Sequence, residues 1–153
     1  MNSHFQTLEF DKILDKMSEL AASSLGQERI LAIRPLEQKH EIEKSLARTV
    51  EVRDLLSYDK PMPMEGILDV RPLFKKLRIE ITVLQAEELM ALNSILSAAR
   101  RLRQYFSSRL DKIPVLKNLT RGLIPHPDFE KEMERSIHPQ SFEILDSAGP
   151  ELA

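Results

Sequence analysis

Residues 84–110, LQAEELMALNSILSAARRLRQYFSSRL, decide the fold class. Leu89, Leu92, Ile95, Leu96, Ala99, Leu102 and Phe106 recur at steps of three and four, which makes one stripe of a long helix apolar. Ser97, Arg100, Arg101 and Gln104 fall on the other side. The spacing is that of a coiled coil but lasts under roughly three heptads, so it predicts packing in a bundle and not a free-standing supercoil.

The same period runs through the neighbouring segments. Upstream, Asp69 is placed to cap a short helix with Pro72 in its first turn. Val70, Leu73, Phe74, Leu77 and Ile81 would form its apolar face, and Arg71, Lys75 and Arg78, at i, i+4 and i+7, a basic one. Residues 58–66, YDKPMPMEG, read as a turn-rich connector and the segment expected to move most. A helix is predicted from about Lys39 to Ser57, and another from about Glu9 to Ala22 with Phe10, Ile13, Leu14, Met17, Leu20 and Ala21 on one face. Ser23 and Ser24 end that first helix and cap a second carrying Leu25, Ile30, Leu31 and Ile33, which Pro35 terminates. Downstream, residues 115–123 predict a short helix, and Asp128 would cap one holding Phe129, Met133 and Ile137. Phe142, Ile144 and Leu145 are the one candidate for a short strand. The expectation is an all-α multi-helix bundle forming a single helical domain over residues 1–153.

Bulk properties narrow the function. With no Cys, disulfides and thiolate metal sites are excluded. No apolar window is long enough to cross a bilayer, and Met1–Phe5 do not open a secretory signal, so a cytoplasmic protein without membrane contact is expected. Net charge is −2 but unevenly spread: residues 59–125 carry 12 basic and 7 acidic side chains, residues 126–153 carry 2 and 7. Either the middle presents a basic surface, or the acidic tail folds against it and neutralises it.

Candidate chemistry is sparse. Gly26, Gly66, Gly122 and Gly149 stand alone, so no phosphate-cradling loop is present and ATP hydrolysis by this chain is not expected. His4, His40, His126 and His138 form no ligand pair. Asp128, Glu130, Glu132 and Glu134 point different ways around a helix, which suits its dipole more than a cation. Nuclease chemistry needs convergent carboxylates or a His pair, and neither is seen. Arg71, Lys75, Lys76 and Arg78, with Arg100, Arg101 and Arg103, are the residues with a physical case. Gathered on one surface they would neutralise phosphates and release counterions, binding backbone with little sequence preference. Scattered, they are ordinary solvated helix faces.

Several short stretches, in their order, carry a family resemblance. Leu8-Glu9-Phe10-Asp11-Lys12-Ile13, Leu25-Gly26-x-Glu28-Arg29 with Pro35-Leu36, Leu68-Asp69-x-x-Pro72-Leu73 followed by Glu87-Glu88-Leu89, and Leu145-Asp146-Ser147-Ala148-x-Pro150-Glu151-Leu152 resemble the start of the bacterial MutS-two family. The sequence departs from that pattern at Gln85-Ala86, where a Ser-Pro helix start is expected, and at Gly149, where a small hydroxyl residue is expected. Both departures weaken caps.

The resemblance implies the N-terminal part of the helical core, or lever region, of a larger DNA-binding ATPase that suppresses recombination. The ATPase, clamp and C-terminal Smr nuclease domains would lie beyond Ala153. ATP and Mg would belong to those missing parts, with no cofactor, metal or catalytic residue in this segment. Implied partners are branched or mismatched DNA, a second copy in the full-length homodimer, and ribosomes with their rRNA. The competing expectation is a helical interaction or dimerisation module serving ribosome-collision rescue, which would expose an apolar stripe on the 84–110 helix.

Overall fold

The computed structural model describes residues 8–79 and 81–149. Among them the secondary structure is seven α-helices and one short 3-10 helix, with no strand, so the fold class is all-α. His4 and the motif residues Pro150, Glu151 and Leu152 lie outside the described residues. The chain divides into two compact units, Met1–Ser45 and Leu46–Ala153.

The first unit holds α1 (Phe10–Glu19) and α2 (Ser24–Leu31), packed on one another. Ser23 caps α2, its hydroxyl accepting from Gly26 N at 3.2 Å. Helix α2 stops at Leu31, short of Pro35. Arg34, held out of helical geometry by the proline after it, donates from Nη1 to the carbonyls of Leu31 (3.2 Å) and Ile33 (2.7 Å) and so satisfies the end of the helix. Of the predicted α1 stripe, Leu14 is buried and Phe10 and Ala21 are half-buried, whereas Ile13, Met17 and Leu20 are exposed. A pair of short helices gives each one neighbour, too little to cover a full apolar face.

Helix α3 (Lys39–Tyr58) starts in the first unit and enters the second at Leu46. The second unit continues with α4 (Arg71–Lys76), α5 (Ala86–Ser107), α6 (Lys117–Thr120), α7 (Pro127–Ser136) and the 3-10 turn Asp146–Ala148. Helix α5 packs against α6 and α7, and α7 against the 3-10 turn. The core cluster is Leu55, Tyr105 and Ile113, with Met62, Phe106 and Leu116 packed on it. Tyr105 is thus the buried ring and Phe106 the half-buried one, the reverse of the stripe-based expectation. The buried hydroxyl is satisfied, donating to Lys60 O at 3.0 Å. The most buried α5 positions, Asn93, Ala98 and Tyr105, flank the predicted stripe on both sides, because α5 has neighbours on both flanks.

Three local expectations are corrected. Helix α4 ends at Lys76, so Arg78 sits in the following turn and Ile81, at φ 68, is fully exposed. The β-branched residues Ile79, Ile81, Thr82 and Val83 are poor helix formers, which stops the helix there. Helix α7 starts at Pro127 with Asp128 already in its first turn and making no capping bond, since proline's fixed φ starts the helix one residue earlier. The candidate strand at residues 142–145 reduces to an isolated antiparallel bridge between Ile137 and Ile144.

Candidate nucleic-acid interface

The predicted basic residues fall into two sets. In the α4 set, the N-cap position falls to Val70 and not to Asp69, which lies one residue earlier and accepts from Arg71 N (3.1 Å), Nε (2.8 Å) and Nη2 (2.7 Å), so the expected cap is an ion pair with the first residue of the helix instead. The Arg71 guanidinium and amide hold the Asp69 carboxyl down at about 2. Lys76 Nζ reaches both carboxylate oxygens of Glu88 on α5, at 2.8 and 2.6 Å. Glu88 is held below its ordinary range first by Lys76 and then by the amide of Gln85, which donates to it at 2.8 Å. That bond supplies the α5 start which Gln85-Ala86 was expected to weaken. Lys75 and Arg78 are exposed.

The α5 set is largely engaged in holding elements together. Arg100 Nε donates to both oxygens of Glu130 on α7, at 3.1 and 2.9 Å, and the Glu130 side chain is only 5% exposed. Arg101 donates to Ser97 Oγ (3.0 Å) and to Glu65 O (2.6 Å), which fixes the end of the 58–66 connector. Beside that contact Gly66 adopts φ 80, and its carbonyl accepts from Ser94 Oγ. Arg103 donates to Leu123 O at 2.9 Å. Glu88, which anchors Lys76, precedes Arg100 by twelve residues on α5, roughly 18 Å at 1.5 Å per residue. The two sets are therefore anchored at different levels of α5.

Sequence reasoning missed the acidic partners that consume these cations. Glu130 turns inward to Arg100 and Glu132 pairs with Arg135 at 2.7 Å, so the acidic run on α7 serves specific bridges as well as the helix dipole. Asp59 accepts from Arg109 Nη2 (2.6 Å), Arg109 Nε (2.9 Å) and Lys112 Nζ (2.8 Å). Those two cations push its carboxyl well below the usual range, and Asp59 in turn raises Arg109. The Arg109 guanidinium also lies 3.9 Å from the centre of the Tyr105 ring. Glu51 on α3 accepts from Val115 N (2.8 Å) and Leu116 N (2.9 Å). Among the described residues no group of His, Cys, Asp or Glu is gathered to hold a metal ion, and no helix is long and apolar enough to cross a membrane.

No family model matches the chain. Curated relatives do, along nearly all of it. It is 33% identical over 146 residues to Endonuclease MutS2 of Pelotomaculum thermopropionicum, covering 95% of this chain and 18% of that protein. It is 36% identical over 150 residues to Endonuclease MutS2 of Ruminiclostridium cellulolyticum, covering 97% and 19%. The chain is homologous to a segment of MutS2. A third relative, Endonuclease MutS2 of Geobacillus kaustophilus, is 32% identical over 149 residues, 95% of this chain and 19% of that protein. The chain spans about a fifth of the length of these MutS2 proteins, consistent with their N-terminal region.

Proposed function

We propose that this chain is the N-terminal helical core segment of a MutS2-type protein, a structural lever with nucleic-acid backbone contacts and no catalytic step of its own. The observation that carries this reading is the similarity to Endonuclease MutS2 over 95–97% of the chain. In the larger protein, ATP and Mg would be bound and hydrolysis and strand cleavage performed by parts outside this segment. The substrate is branched or mismatched DNA, the outcome is suppression of recombination, and the setting is cytoplasmic.

The charge arrangement of the second unit suits a lever. Ion pairs tie α4 to α5 through Lys76–Glu88, α5 to α7 through Arg100–Glu130, and the end of α3 to the turn after α5 through Asp59–Arg109. Helices joined in this way move as bodies, so a displacement at one end is transmitted and not absorbed locally. Lys75 and Arg78, exposed at the end of α4, supply the backbone-directed contact.

A second reading, a helical interaction or dimerisation module acting at collided ribosomes, expected an exposed apolar stripe on α5, where Leu89, Leu92, Ile95, Leu96, Ala99, Leu102 and Phe106 are instead half-buried; what favours it is exposed apolar residues on α3. Leu46, Val50 and Leu56 are 59%, 42% and 63% exposed.

One titration tests both readings. The chain is titrated with a four-way junction and with linear duplex at several salt concentrations, and its mass in solution is measured in parallel. The lever reading expects a monomer or weak dimer whose junction affinity falls steeply with salt, less steeply in the R71A/K75A/R78A variant. Absence of binding at low salt removes the DNA contact, and a stable oligomer without DNA affinity favours the interaction module.

A further inference from the structure

We propose that the cleft between the end of α5 and α6 is a binding site for a nucleic-acid backbone phosphate, with Arg103, Lys117 and Arg121 as its cationic ligands. The proposal rests on the nucleic-acid reading above only for the source of the phosphate.

Arg103, Ser107, Leu110, Lys117, Thr120 and Arg121 line a cavity of about 260 Å³. Arg103, Ser107 and Leu110 recur at i, i+4 and i+7 along one side of α5 and its exit, and Lys117, Thr120 and Arg121 at i, i+3 and i+4 around α6, so each segment turns one face into the same space. Three of the six lining groups are cations and none is a carboxylate. This sets the cleft apart from Arg71, Lys76, Arg100, Arg109 and Lys112, which all lie against a carboxylate within 3.0 Å.

The Arg103 fork is oriented by its bond from Nη1 to Leu123 O, which leaves its other N–H groups for a ligand. The side chains of Lys117 and Arg121 are exposed and form no hydrogen bond or ion pair with a described residue. Ser107 and Thr120 direct their hydroxyls to carbonyls of their own helices, Gln104 O (2.8 Å) and Lys117 O (2.9 Å), which leaves the space between the cations open. Like charges gathered around a concave space repel one another and concentrate counter-anions. A phosphate, with several acceptor oxygens, takes N–H donors from both sides and relieves that repulsion. Lys117 and Arg121 were no part of the sequence-derived basic set, because Pro114 and a four-residue helix separate them from the Arg-rich run that drew attention to α5.

The test uses the full chain and a K117Q/R121Q variant. Both substitutions are at exposed residues without structural partners, so urea unfolding of the variant should match the parent. Anisotropy of a labelled duplex is recorded against salt, and the magnitude of the slope of log affinity on log salt should fall by about 0.9 in the variant, the share of the one phosphate the site holds. If the parent binds duplex and the variant keeps the full slope, this site is overturned while the nucleic-acid reading stands. If the parent binds no DNA at low salt, that reading falls and inorganic pyrophosphate decides the site. Amide shifts confined to residues 103–121 and lost in the variant then establish a phosphate site of another source, and their absence overturns it. A poly-glutamate peptide that displaces the duplex at equal concentration also overturns it, in favour of an acidic protein segment.

Discussion

Replacing Glu51 by Ala should cost the fold more than any surface carboxylate on the same helix. Helix α6 begins at Lys117, and its N-cap residue, Leu116, has no side-chain acceptor to offer the free amides. Glu51 provides it from α3, taking Val115 N on one oxygen and Leu116 N on the other, at 2.8 and 2.9 Å. A hydrogen bond to a charged group contributes about 1.5–3 kcal/mol, and loss of a capping acceptor costs about 0.5–2 kcal/mol. Both bonds are only partly buried, so water re-enters and the lower ends apply, giving about 2–3 kcal/mol for E51A. E51Q retains one acceptor oxygen and turns an NH2 group toward the second amide, for about 1–2 kcal/mol. Alanine's better helix propensity returns a few tenths of a kcal/mol within α3. At about 2–4 °C per kcal/mol for a chain of this size, E51A should melt roughly 4–12 °C lower. Urea unfolding followed by circular dichroism gives the free energies, and hydrogen exchange at Val115 and Leu116 localises the loss. R53A, which removes an exposed pair with the adjacent Asp54, serves as the control, expected within about 0.5 kcal/mol of the parent. An E51A variant as stable as R53A, with unchanged exchange at residues 115 and 116, would refute the assignment of the carboxylate as the cap of α6.

Asp59 makes a pH prediction. Its folded-state carboxyl is depressed by Arg109 and Lys112, so its contribution is fully present above the unfolded value of about 3.9 and is lost as pH falls below that toward the folded one. Urea midpoints measured downward from neutral pH should therefore drop less steeply below about pH 4 in D59N than in the parent; parallel curves would contradict the assignment. For Arg100 and Glu130, a double-mutant cycle with alanine should give a coupling of roughly 1 kcal/mol. Glu130 is buried, but Arg100 at 42% exposure rehydrates when left alone, which keeps the figure below that of a fully buried pair. G66A should destabilise by about 1–2 kcal/mol, because the residue sits at φ 80 and a Cβ would lie 2.7 Å from Ser94 Oγ. Adding S94A should recover only part of that loss in the same assay, since the backbone strain remains.

What was legible in the sequence was whatever a helix decides within its own turns. A long helix within residues 84–110, Ser23 as a cap and Pro72 in the first turn of α4 depend on neighbours a few positions away, and each has its counterpart in the structure; the buried face of the long helix, the stop placed at Pro35 and the cap placed at Asp69 each came out shifted. What stayed hidden depends on contacts across long separations. Glu51 meets Val115 across 64 positions and Asp59 meets Arg109 across 50. Neither pair differs in composition from the solvated charges around it. The candidate interface suffered most from this. The local pattern identified Arg71, Lys76, Arg100, Arg101 and Arg103 as cations, but their availability to phosphate is set by Asp69, Glu88, Glu130, Glu65 O and Leu123 O.

The two sequence-level fates of the basic middle, a nucleic-acid surface or neutralisation by the acidic tail, are therefore not exclusive. Glu130 is the one acid among residues 126–149 found paired with a cation of the basic middle, and it is spent on Arg100 at the α5–α7 contact. A cation in such a bridge gives up a strong partner if it is to meet phosphate, so it contributes stiffness more than affinity. Lys75, Arg78, Lys117 and Arg121 have no side-chain ion pair with a described residue and are free to neutralise phosphate without breaking such a bridge. On the proposed reading the same residue type has two roles in one small unit, bracing and binding. Removing Arg100 should lower stability while leaving the salt slope of DNA binding nearly unchanged, and removing Lys117 and Arg121 should do the opposite. If both variants changed both quantities equally, bracing and binding would be one function of one surface, and the separation argued from the ion pairs would fail.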